Sequence, residues 1–256
     1  VNSVYVWWDD AADGATNMAA DECLADAATD GDCLCMRFYG WTSPTVSLGA
    51  FQRIEEARST PGIAALPVVR RPSGGGAIIH GSDLTYAAAV PKRHAWGATA
   101  QILYDALHAA MVAVLRERGV DARLCAVAGD DGEAAPFLCF DRRAPGDVVV
   151  GADPAGVKLM GSAQRRLAAA VLQHGSLLIG RNPAVAGDAA HAGLENLVPG
   201  AAADGSRRLA TAWLERVAVA LGAKIVVQAV SFTTTRSAAV AGVRQRFADD
   251  AWTCRR

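Results

Sequence analysis

A thiol and an amine are the groups of this sequence best able to do covalent chemistry. Cys139 lies in Phe137-Leu138-Cys139-Phe140-Asp141, 19 residues before Lys158. A cysteine thiolate attacks thioesters readily, and a neighbouring ammonium favours that ionised form. The same ammonium would suit the oxyanion of a tetrahedral intermediate. Taken alone, Cys139 reads as a small buried hydrophobe between Leu138 and Phe140. Lys158 has composition behind it: of 25 basic residues only Lys92, Lys158 and Lys224 are lysines. Against such a preference for arginine, a lysine suggests a need for a compact amine.

Two further clusters could shape a binding pocket. Arg70-Arg71-Pro72-Ser73-Gly74-Gly75-Gly76-Ala77 puts three residues without Cβ after two cations, with His80 and Asp83 close behind. Glycines let a backbone approach a ligand closely. Three glycines alone describe a hairpin turn, but a polar cluster beside a strand end is what a pocket looks like. In Lys158-Leu159-Met160-Gly161-Ser162-Ala163-Gln164, strand alternation puts Lys158, Met160 and Ser162 on one face, a wall for a chain-shaped apolar ligand with a polar end. The alternative is a strand with a surface lysine, followed by a solvated arginine pair. His174, in Leu172-Gln173-His174-Gly175-Ser176, reads as a structural strand histidine when taken alone.

These residues need elements to hold them. The spacing predicts a strand over VYVWW, a helix over Thr16 to Ala28 starting near Asn17, and strands over Cys33 to Tyr39 and Thr45 to Leu48. Strands are also expected over Leu66 to Arg71 and Ala77 to Val90, on either side of the glycine loop. Thr99 to Arg118 carries Ile102, Leu103, Ala106, Leu107, Ala110, Met111, Val114 and Leu115 on one helical stripe, ended by Gly119. Gly129 to Ala135 reads as a surface loop. Strands follow over Val148 to Gly151, Val157 to Gln164 and Val171 to Ile179. Two helices close the sequence, from Ser206 as cap to Leu221 and over about Thr235 to Asp250. Strands massed in the middle with helices between and after them predict an α+β mixed sheet, with residues 1–256 forming one domain and 206–256 its closing helices.

Composition narrows the function classes. A net charge of -1 gives no global basic field for nucleic acid. No run reaches the roughly 18 apolar residues of a membrane span, and the opening residues do not form a signal peptide. A soluble, cytoplasmic protein is expected. The six cysteines, without a C-x-x-C pair, suggest free thiols and no metal site.

The motifs in order are Asn17-Met18-Ala19-Ala20-Asp21-Glu22, Arg37-Phe38-Tyr39-Gly40-Trp41, Ser47-Leu48-Gly49-Ala50-Phe51-Gln52, Arg70-Arg71 with Gly74-Gly75-Gly76 and His80, Lys158 with Gly161-Ser162-Ala163-Gln164, and His174-Gly175-Ser176-Leu177-Leu178. Over roughly residues 1–180 this series resembles the lipoate–protein ligase and octanoyltransferase superfamily. The resemblance implies a mixed, largely antiparallel sheet flanked by helices, related to biotin ligases and class II tRNA-synthetase catalytic domains. It implies that the glycine loop and the lysine strand enclose an acyl chain, so that Arg70, Arg71, Gly74, Gly75, Gly76, His80, Gly161, Ser162, Ala163 and His174 bind substrate.

Cys139-Phe140 resembles the cysteine-dependent octanoyltransferase branch, which makes Cys139 the nucleophile and Lys158 its catalytic partner. Asp141 to Val150 matches that branch loosely, with Asp147 standing for its acid. The implied reaction moves an octanoyl or lipoyl group from acyl carrier protein to a lysine of a lipoyl-domain protein, such as glycine cleavage H protein or a 2-oxoacid dehydrogenase E2. It needs no cofactor. The alternative is an ATP- and Mg-dependent lipoate ligase. An acidic carrier would dock on Arg142, Arg143, Arg165 or Arg166.

Overall fold

The computed structural model describes residues 2–126, 136–152, 156–185, 187 and 191–255. The expected loop over 129–135 lies outside them. Eleven strands appear among the described residues: β1 (Ser3–Trp8), β2 (Leu34–Tyr39), β3 (Thr45–Leu48), β4 (Val68–Arg70), β5 (Ile78–His80), β6 (Asp83–Pro91), β7 (Ala122–Leu124), β8 (Val148–Val150), β9 (Val157–Arg166), β10 (Ala170–Leu178) and β11 (Lys224–Val227). Eight of them form one sheet in the order β11-β1-β2-β6-β10-β9-β8-β7, and β4-β3-β5 form a small second sheet. In the large sheet β1 pairs in parallel with β11 and β2, and every other pairing is antiparallel.

The helices are α1 (Gly14–Gly31), α2 (Ile54–Ser59), α3 (Ala100–Glu117), α4 (Leu194–Leu197), α5 (Ser206–Leu221), α6 (Phe232–Thr235), α7 (Ser237–Ala248) and α8 (Asp250–Thr253). They cover both faces of the large sheet. On one face Leu103 and Leu107 of α3 and Trp213 and Leu214 of α5 pack on Met36, Tyr86 and Met160. On the other, Met18 and Leu24 of α1 and Phe247 of α7 pack with Cys35, Ala87 and Ala89. Burial on both sides explains why β6 reads as an almost unbroken apolar run.

Several expectations shift. α1 starts at Gly14, where Asp13 caps it by accepting from the Thr16 amide, not at Asn17. Asn17 is buried within the helix, its amide donating to the Gly40 carbonyl. The run Ala77 to Val90 breaks at Gly81, whose φ of 130° suits a residue without a Cβ. There the chain leaves the small sheet for the large one. In α3 Ile102 is 41% exposed, and His108 takes a buried place on the stripe. Gly205, not Ser206, stands at the N-cap of α5, and the last helical region splits into three pieces.

Candidate active site

Cys139 opens a single 3-10 turn, Cys139–Asp141. Its amide donates to the Ala77 carbonyl at 2.8 Å, and the Ala77 amide donates to Phe137 at 3.0 Å. The cysteine segment is thereby tied to the residue that leaves the glycine loop. Lys158, 6% exposed, reaches the same point from β9. Its Nζ lies 3.4 Å from Cys139 Sγ, 3.1 Å from the Cys139 carbonyl, 3.3 Å from the Arg142 carbonyl and 2.8 Å from Asp147 Oδ2. Burial pulls the lysine pKa down, but facing Cys139 and Asp147 outweighs it, and the net shift is upward. Asp147 is held in turn by the Tyr104 hydroxyl and the Ala144 amide, each donating at 2.7 Å.

Lys158 does not share a face with Ser162. Val149 pairs with Lys158 while Val148 pairs with Met160, so Leu159 is an extra residue in a bulge. Beyond the bulge the alternation is inverted: Leu159 and Met160 both enter the core under α3, and Gly161 and Ala163 take the lysine's side. A Cβ at Gly161 would lie 2.8 Å from Lys158 Nζ, so the lysine folds directly over that glycine. Ser162 faces the opposite way, bonded to Tyr86 and His108. Regular alternation could not reveal this, because one inserted residue reverses every later side chain.

On the lysine's side, β10 adds His174 opposite Ala163, and Ser176 opposite Gly161. His174 Nε2 lies 2.5 Å from Ser73 Oγ, and its Nδ1 lies 2.9 Å from Asp21 Oδ2. Asp21 also accepts from Tyr39 and from Arg37, which pairs with Asp9 as well. His80 stacks on Trp41, with Nε2 2.8 Å from Ser47 Oγ and Nδ1 2.8 Å from Asp83. Burial raises the Asp83 pKa, but His80, Ser176 and Thr85 more than compensate and hold it down to about 2. These networks position the glycine loop. Arg71 Nη2 donates to the carbonyls of Gly74 and Gly76, and its Nη1 to Ser47. Gly75 between them has φ 89°.

Gly76 lies against Cys139 and Gly161 against Lys158, and Arg71, Gly75 and Ala163 adjoin that point, while His80 and His174 stand behind the loop, bonded to Ser47 and Ser73. Arg70 does not join them. Its guanidinium turns to the far side and donates to the carbonyls of Gly49, Gln52 and Thr253. Of the four arginines expected to face a carrier, Arg143 donates to Gly156, Arg165 pairs with Glu22 and Arg166 donates to Ala98, while Arg142 turns inward against Gly76.

Sequence reasoning passed over Tyr104 and His108. A directed hydrogen-bond chain runs from Gln164 Nε2 to Gln173, from Gln173 to the Tyr86 hydroxyl, then to Ser162, His108 Nε2 and, from His108 Nδ1, the Gly146 carbonyl. It ends one residue before Asp147. Burial holds the His108 pKa down to about 4, which keeps Nε2 free to accept. The available signal was two polar rings four residues apart on an apolar helix, which places both on one face.

Among the described residues no helix is long and apolar enough to cross a membrane, and no group of three or more histidines, cysteines or acids could hold a metal. Octanoyltransferase LipM of Geobacillus kaustophilus is 36% identical over 175 residues, 64% of this chain and 61% of that protein. The LipM protein of Kyrpidia tusciae is 36% identical over 179 residues, 66% of this chain and 63% of that one. The chain thus spans under two thirds of the length of these relatives. In fold it is similar to a lipoate-protein ligase A solved with ATP, with TM-score 0.74, 18% identity and coverage of 99% and 98%. It is also similar to a bipartite lipoate protein ligase from Thermoplasma acidophilum, with TM-score 0.70, 19% identity and coverage of 99% and 96%. The model of the lipoyl protein ligase A/B catalytic domain matches residues 13–205, more than half of the sequence, and the chain belongs to that family.

Proposed function

We propose that this protein is an octanoyltransferase, carrying the acyl group on Cys139 between acyl carrier protein and a lysine of a lipoyl domain. The observation that carries this reading is the Lys158 ammonium 3.4 Å from Cys139 Sγ, with Asp147 fixing its position. A lipoate ligase that adenylates its acid has no need of that thiol. In the first step Cys139 sulfur attacks the thioester carbonyl of the donor, Lys158 steadies the oxyanion, and the carrier leaves as its thiol. In the second, the acceptor lysine amine displaces Cys139 and the amide forms. Arg71, the glycine loop, His80, Gly161, Ala163 and His174 surround the acyl chain, and Arg70 and Ser162 serve by holding that wall.

Residues 1–256 act as one catalytic domain in this reading, with 206–256 closing it. The reaction consumes no nucleotide or metal and belongs to the cytoplasm, where thiols stay reduced. Glycine cleavage H protein and 2-oxoacid dehydrogenase E2 are the acceptors to try. Incubation with octanoyl-acyl carrier protein, without ATP, should add one octanoyl group through a hydroxylamine-labile bond, seen by intact mass. The adduct should be absent from Cys139→Ser. Labelling that persists in that variant, or lipoyl transfer that requires ATP, would sink the assignment in favour of a ligase.

A further inference from the structure

Arg142 follows Cys139 by three residues, and its backbone already belongs to the site: its amide donates to the Cys139 carbonyl and its carbonyl accepts from Lys158 Nζ. The side chain turns inward. A Cβ on Gly76 would lie 2.7 Å from Arg142 Nη2 and 2.8 Å from both Arg142 Nε and Cys139 Cα. The guanidinium therefore occupies the space a Gly76 side chain would take, next to the cysteine. Its Nε is buried without a hydrogen-bond partner, as is Nε of Arg71.

Arg71 reaches the same glycine through its bond to the Gly76 carbonyl. Burial lowers the Arg71 pKa to about 10, and the charge of Arg142 contributes in the same direction against the raising effects of Cys139 and Tyr39. The Arg71 nitrogens donate to the oxygens of Ser47, Gly74 and Gly76, all of them neutral. The carboxylate of Asp147 is committed to Lys158. Two cations thus converge beside a nucleophile with no carboxylate bonded to either among the described contacts. Buried donors without acceptors are rare in folded proteins, and an anion bound during function is one reason to keep them.

We infer that Arg142 is a further catalytic residue, whose Nε–H, backed by Arg71, binds the anionic oxygen of the acyl group at Cys139. This rests on the acyl-transfer reading. As sulfur forms its bond to the carbonyl carbon, the C=O pair moves to oxygen, which Arg142 and Lys158 hold from two sides. Collapse restores C=O and breaks the donor's C–S bond, and the departing thiolate takes up the proton that left Cys139. The fork of Arg142 suits an oxygen in the plane of the group better than a point charge would.

The test compares two alkylating reagents of similar size and opposite demands. Iodoacetate carries a carboxylate and iodoacetamide is neutral, and modification of Cys139 is followed by peptide mass. Iodoacetate should react faster relative to iodoacetamide at Cys139 than at a free cysteine in solution. Arg142→Gln should slow iodoacetate about tenfold, the scale of one lost charge contact in a partly screened site, and leave iodoacetamide within about twofold. Arg142→Lys keeps the charge and should regain most of the preference, which separates charge from folding. Single-turnover acylation of Arg142→Gln should fall about 10²-fold. Equal slowing of both reagents, or no preference for iodoacetate in the parent protein, would overturn the inference. Should the preference depend on Arg142 while octanoyl-acyl carrier protein acylates no form of the protein, the anion site is upheld and the acyl-transfer reading is what fails.

Discussion

Gly161→Ala adds one methyl and removes no functional group, yet it should cripple the site. The new Cβ would lie 2.5 Å from Lys158 Cε, 2.8 Å from Nζ and 3.4 Å from Asp147 Oδ1. Carbon atoms in contact sit about 3.5–4.0 Å apart, so the lysine tip must move on the order of 1 Å. That displacement competes with a 2.8 Å ion pair and a 3.4 Å approach to sulfur, neither of which has slack. The stability cost should stay within about 1–3 kcal/mol, as for other overpacked sites. Catalysis should lose most of what Lys158 supplies, roughly 10²-fold in the acylation rate. The assay is single-turnover acylation of Cys139 by octanoyl-acyl carrier protein, quenched and read by mass, alongside thermal denaturation. Because both changes act through one amine, Gly161→Ala should add nothing in a Lys158→Met background. A Gly161→Ala rate within about twofold of the parent, or effects that multiply in the double variant, would refute the reasoning.

Lys158→Arg should also lose about 10²-fold in acylation rate with the melting temperature little changed, since a planar guanidinium does not fit the space bounded by the Cys139 and Arg142 carbonyls and Asp147. Arg37→Ala leaves Asp9 and Asp21 as buried carboxylates without their cation and should cost about 3–5 kcal/mol by equilibrium denaturation. For His108, burial sets the folded pKa at about 4 against 6.5 for the exposed ring. The unfolded chain therefore holds the extra proton between those values, and stability falls as pH drops through that window. The slope should be about 1.4 kcal/mol per pH unit, roughly 3 kcal/mol in all, and His108→Gln should lack that share of the pH dependence in denaturant titrations.

Much of the frame was legible because local pattern and tertiary demand agree. Thr99 and Gly119 bracket α3 as cap and terminator, and the apolar runs of β2, β3 and β10 sit where alternation or burial requires. Legibility failed where a long-range partner decides the outcome. β11 exists because residues 3–6 offer it an edge, and nothing within Lys224–Val227 announces that edge. The cysteine–lysine pair was readable as a motif, but the face on which Lys158 stands depends on a bulge between β8 and β9 that no single-strand pattern encodes. Arg70 shows the same limit. Beside Arg71 it reads as one of two cations serving the glycine loop, yet side chains alternate along extended backbone, so Arg71, just past β4, meets that loop while Arg70 turns to Thr253 at the chain's far end.

That far end has a consequence for how the protein is made. Thr253 accepts two bonds from Arg70, the Trp252 indole donates to the Arg70 carbonyl, Arg246 pairs with Glu22, Arg244 pairs with Asp13, and the Phe232 amide donates to Asp9. The segment that steadies the turn before the glycine loop is separated from it by about 180 residues of sequence. At synthesis rates of about 5–20 residues per second, the ribosome needs on the order of ten seconds or more to supply it. Until then the loop's supporting arginine and the first helix lack their partners. Contacts of such span are also slow to close. The turn before the glycine loop and the first helix are therefore expected to gain their full order only after residues 232–253 have been made.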